Sequence, residues 1–106
     1  WLAMQDRPTG LFLSSDEMAV GFMGEVQRAG LQVPRDVSIV GFDNIEIAQH
    51  LSPGLTTIRQ PRTDIGARAA ELLLGMIERG ASDVPSEIIE VEFIPRSSAG
   101  APPKVR

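Results

Sequence analysis

The chain has no cysteine and a single histidine, and those two gaps remove much chemistry at once. Without thiols there is neither a disulfide framework nor a zinc site built on cysteine, and no other metal-ligand spacing occurs along the chain. A reducing cytoplasm is compatible with that count. His50 has no cysteine near it, and no serine sits in a G-x-S-x-G elbow, so no spacing predicts a nucleophilic triad from Ser15, His50 and Asp43. His50, next to Gln49, reads as a surface residue. Neither G-x-G-x-x-G nor a Walker-type loop is present. Aromatic residues make up only 5% of the chain against a hydrophobic fraction of 42%, so its core has to be aliphatic. Basic residues are also short: ten Lys and Arg stand against fourteen Asp and Glu, a net charge of -4. With no basic run, this stretch lacks the electrostatic footprint of a nucleic-acid-binding surface. No apolar run approaches the length needed to cross a bilayer, and the start at Trp1 has no signal-peptide pattern.

What is present fits one hydrophobic core at most, since the chain has 106 residues. Residues 10–13 form a short apolar run, expected as a strand buried on both faces. Ser14 and Glu17 then match a capping box, with Ser14 as the cap of the first helix. Ala19, Phe22, Met23 and Val26 fall on one helical face. Gly30 stands where a left-handed C-terminal cap belongs, and Pro34 prevents continuation. Residues 37–42 are almost continuously apolar, the mark of a parallel strand covered on both sides. Residues 45–51 allow a helical turn or two before Pro53-Gly54 breaks them. A third strand is expected over 55–59. Thr63 is the expected cap of a long helix, with Asp64 in its first turn. Ile65, Ala69, Leu72, Leu73, Met76 and Ile77 line one side of that helix, and Gly80 ends it. A last strand is expected over 87–93, and a loose tail over 97–106. The element order gives an α/β fold, a parallel sheet with flanking helices and right-handed crossovers. Four parallel strands make a thin sheet that wants cover on both faces. The opening WLAMQDRPTG has no cap and no periodicity. Both features are expected of a piece of a larger fold.

Three places are candidates for chemistry. Asp43 is released at the end of the second strand, at the carboxyl edge of the sheet, where α/β proteins contact ligands. An ionised carboxylate accepts hydrogen bonds only, which suits sugar hydroxyls or the N–H groups of a purine. The plainer alternative is that Asp43 shapes a turn with Asn44. Ser15 and Asp16 open the first helix, whose free amides favour polar ligands; the plainer alternative is a simple helix start. Gln60, flanked by Arg59 and Arg62, lies at a strand end before proline, a pattern that also serves as a plain link. Gly21 and Gly24 on the first helix read as close-packing positions.

Four stretches in order, SSDEMAVG, AGLQVPRDVSIVGFDN, LSPGLTTIRQP and GARAAELLLGMI, resemble the ligand-sensing domain of LacI/GalR-type bacterial transcription regulators. The resemblance covers roughly residues 7–98. It implies the C-terminal part of a two-lobe, Rossmann-like fold shared with periplasmic sugar-binding proteins, with a small effector in the cleft and the chain crossing between lobes near LTTIRQP. By position, Asp43 matches the acidic residue of the family's GYD/GFD motif, which hydrogen-bonds the effector. Ser15 stands where the family usually has Asn, a longer residue with an amide; Asp16 matches a structural Asp. Gln60 falls at a cleft-lining position. Met18, Val20 and Leu51 match surfaces that make the family's dimer. The implied partners are a sugar or nucleobase-like effector, a second copy of the chain, and DNA only through a helix-turn-helix upstream of Trp1. No cofactor, metal, membrane or enzymatic activity is implied. The competing reading is the sugar-binding component of a periplasmic importer; a flavodoxin-like enzyme is more remote.

Overall fold

The computed structural model describes residues 1–80, 82–83 and 86–104. The elements are strand β1 (Gly10–Phe12), helix α1 (Asp16–Arg28), strand β2 (Ser38–Val40), a 3-10 turn (Glu46–His50), strand β3 (Thr57–Arg59), helix α2 (Arg62–Arg79) and strand β4 (Glu92–Ile94). They fall into two units: Trp1–Arg59 with Glu92–Arg106, and Gln60–Val91.

In the first unit β1 and β2 pair in parallel, with Leu11 opposite Ile39 and Phe12 opposite Val40. A parallel bridge from Val40 to Thr56 carries the sheet on toward β3. β4, however, runs antiparallel to β3, with Thr57 opposite Ile94. The reason is the path of the chain. It leaves the first unit through β3 and returns through β4, so the two strands point in opposite directions.

The core of this unit joins Ala19, Met23 and Val26 of α1 to Val33, Val37, Ile39, Ala48 and Leu55. Each large side chain buried there, such as Ile39 or Leu55, is worth about 1.5–3 kcal/mol of hydrophobic stabilisation. Phe22, expected on the same face, is only partly buried and meets the Trp1 ring edge-on at 5.5 Å. β1 is not buried on both faces as expected. Gly10 and Phe12 are exposed and only Leu11 is half-buried, because α1 covers one side of the sheet.

Two caps differ from expectation. Ser15, not Ser14, caps α1: its backbone is extended and its Oγ accepts from Met18 N at 3.2 Å. The Ser14 hydroxyl instead points to the Met18 sulfur at 3.1 Å. Thr63 does not cap α2, because that helix already begins at Arg62 behind Pro61, and Pro61 has no side-chain acceptor to offer. At the other end, Gly80 does close α2, in the left-handed region at φ 64° that glycine enters without a Cβ clash.

Residues 97–100, expected as the start of a loose tail, are tied into the sheet. Ser98 is fully buried; its carbonyl accepts from Ile39 N at 2.8 Å, and its Oγ donates to Ile39 O at 2.6 Å and accepts from Thr56 N at 2.8 Å. A serine hydroxyl can serve as donor and acceptor together, so a polar sequence here builds an edge rather than a tail.

The second unit holds α2, none of whose residues is buried. Ile65, Leu72 and Met76 are half-buried, whereas Ala69, Leu73 and Ile77 of the expected apolar face are exposed. Arg68 binds Glu87 and also Glu71, the latter at 2.8 Å. Among the described residues, no helix is long and apolar enough to cross a membrane.

Candidate functional site

The site is built at the carboxyl ends of β1 and β2. The α1 N-terminus is held against the end of β2 by a bond from Asp16 N to Phe42 O at 3.1 Å. Ser15 and the Asp43 turn therefore share one edge of the sheet. Asp43 and Asn44 both take positive φ values, 129° and 55°. Asn tolerates the left-handed region, but a positive φ at Asp43 costs energy and persists only where the surroundings impose it.

Those surroundings are explicit. Three successive amides of the turn donate inward: Asp43 N to Ile58 O at 2.8 Å, Asn44 N to Thr57 Oγ1 at 3.4 Å, and Ile45 N to Asp16 Oδ2 at 2.9 Å. Thr57 Oγ1 in turn donates to Asp16 Oδ1 at 2.6 Å. Both Asp16 oxygens are thus engaged, and the residue is fully buried. Gly41 is what lets the strand come so close: a Cβ there would lie 2.3 Å from Asp16 Oδ1, far inside contact distance.

A second clamp comes from the returning chain. Arg96 Nη2 donates to Asn44 Oδ1 at 2.8 Å, and Nη1 donates to Leu55 O at 2.8 Å. The Arg96 amide binds Thr56 Oγ1 at 3.0 Å. Beside the turn, the Phe12 and Phe42 rings meet edge-to-face at 6.3 Å, and Phe12 is 64% exposed. Thus Ser15 is spent partly on capping α1, Asp43 is half-buried in an imposed turn, and Gln60 belongs to the second unit. Asp16 has the structural role expected of it. Sequence reasoning missed Thr57, Arg96 and Ser98. The only signal for the last two was a basic and hydroxyl pair following β4, read as the edge of a tail. Among the described residues, no cluster of three or more His, Asp or Glu side chains is placed to hold a metal ion.

The protein-family model described as a periplasmic binding protein-like domain matches residues 1–99. The chain belongs to that family. A curated relative, the HTH-type transcriptional repressor PurR of Vibrio vulnificus, is 50% identical over 74 residues, which cover 70% of this chain and 22% of that protein. The chain therefore spans less than a quarter of that relative's length. A LacI family regulator of Enterococcus faecalis solved with bound ribose superposes with a TM-score of 0.81 at 39% identity, over 94% of this chain and 37% of that one. The lac repressor dimer, solved on its operator with an anti-inducer, gives 0.79 at 31% identity, over 89% of this chain and 32% of that one. The periplasmic binding protein-like α/β fold and the kinship with LacI-type regulators anticipated from the four motifs both hold.

Proposed function

We propose that this chain is part of the effector-binding and dimerisation region of a LacI/GalR-type DNA-binding transcription regulator, working in the cytoplasm. The observation that carries the reading is the Asp43 turn, an acidic residue in an imposed conformation at the carboxyl edge of the sheet. The effector is a sugar or another small polar metabolite. A carboxylate recognises its hydroxyl or N–H donors, and the exposed Phe12 ring offers an apolar face to a ring beside them. The similar Enterococcus faecalis regulator holds ribose, which favours the sugar. The kinship with repressors also favours regulation over the importer reading.

Effector binding acts by stabilising one arrangement of the regulator over another, and only through unequal affinity for the two. The test is calorimetry of the full-length protein with ribose, cellobiose and adenosine, each against wild type and Asp43→Asn. The substitution keeps size and tolerates the turn, so it weakens binding of the compound that binds by roughly tenfold or more while leaving the melting temperature nearly unchanged. Equal affinity in the two proteins would remove Asp43 from the site.

A further inference from the structure

We infer that Arg96 is the positioning residue of the effector site: its guanidinium, bound to Asn44 Oδ1 and Leu55 O, holds the Asp43 turn in its ligand-binding conformation. This rests on the assignment of Asp43 to the effector.

Asp43 and Asn44 carry φ values of 129° and 55°, and strain of this kind relaxes unless it is over-determined. Backbone amides pin the turn from the inside, through Ile58, Thr57 and Asp16. They fix the main chain at three points, yet none of them holds a side chain of the turn. Arg96 does, through Asn44 Oδ1 at 2.8 Å. Its other terminal nitrogen is anchored on Leu55 O at 2.8 Å, and its backbone is anchored on Thr56 Oγ1 at 3.0 Å. A planar guanidinium bridges two acceptors in fixed geometry, whereas a lysine ammonium on a flexible stem reaches one. Arg96 is only partly buried, and it stands two residues beyond β4, on the chain returning from the second unit. Arg96 thus ties that return to the effector turn.

The experiment is a double-mutant cycle in the full-length protein with Arg96→Met, which has no donor to offer, and Asn44→Gly, which break the same bond from its two ends. Glycine also accepts the φ of position 44, so this variant stays foldable. Two readouts are taken. Hydrogen exchange at the amides of Asp43 and Ile45 becomes about tenfold faster in each single variant and no faster in the double, while the Ala19 and Val26 amides are unchanged. Ribose affinity, by calorimetry, drops roughly tenfold in each and no further in the double. Unchanged exchange at Asp43 and Ile45, or effects that simply add in the double variant, overturns the role of Arg96. If Asp43→Asn binds the effector (ribose, or whichever of ribose, cellobiose and adenosine the wild type binds) as tightly as wild type does, the assignment of Asp43 fails instead, and the exchange readout still decides Arg96.

Discussion

Asp16 shows how much one buried polar side chain fixes in this protein. Its two oxygens serve Thr57 Oγ1 and Ile45 N at 2.6 and 2.9 Å, joining the start of α1 to β3 and to the turn after β2. Asp16→Asn keeps the shape but presents an NH2 group where an acceptor is needed. It is expected to cost about 1–3 kcal/mol in urea unfolding; a loss under a few tenths would mean the network relaxes freely. Gly41→Ala places a methyl group 2.3 Å from Asp16 Oδ1 and 3.1 Å from Leu55 Cδ2. Overpacking of this severity costs about 2 kcal/mol or more, and the same unfolding measurement checks it. At this scale the sequence was partly legible. Asp43 stood out because a charged residue directly follows a buried apolar run. Arg96 and Ser98 did not, because their partners lie 52 and 59 positions away, and nothing local in a Pro-Arg-Ser-Ser string indicates such pairing.

The elements divide according to what set them. α1 followed its periodicity, since Ala19, Met23 and Val26 face a sheet and burial reinforces the pattern. α2 has an equally clear apolar stripe but no buried residue among those described, so pattern predicts the helix and not its cover. The α1 cap was legible to within one residue, where neighbouring hydroxyls compete, and the start of α2 to within two. Ser15→Ala is expected to cost about 1 kcal/mol, because it removes the acceptor of Met18 N, while Ser14→Ala is close to neutral. Thermal unfolding of the two variants side by side tests this, and equal losses would contradict it. In the second unit, hydrogen bonding to Arg68 holds the Glu87 carboxyl below its ordinary range. A depressed folded pKa stabilises above the unfolded value and is lost as pH falls through the folded one. Both groups are solvent-accessible, so the effect on stability is small and screened by salt. An NMR titration should find the Glu87 pKa rising in Arg68→Gln; no movement would place the cause elsewhere.

For the whole molecule, the decisive fact is that the chain folds as two units, with β3 leading out of the first and β4 leading back. The proposed dimer uses α1, which carries Met18 and Val20. Met18 is 55% exposed on α1, and Val20 is half-buried, whereas Leu51 packs against the core of its own unit. Met18→Glu is therefore the cleaner probe. In the full-length protein it is expected to raise the dimer dissociation constant about tenfold or more by burying an unpaired charge, as read by sedimentation equilibrium; an unchanged constant would move the interface off this helix. By itself the sequence determined the alternation of strand and helix, the aliphatic core, the family and the acidic residue at the strand end. Each of these depends on periodicity, composition or a contiguous motif, which are local properties of a chain. Only the tertiary structure decided that β4 runs antiparallel, that Ser98 is buried, and that Asp43 is held in a left-handed turn by Asp16, Thr57 and Arg96. Those features arise from hydrogen bonds between residues far apart in sequence, and each donor finds its acceptor only once the strands are in register.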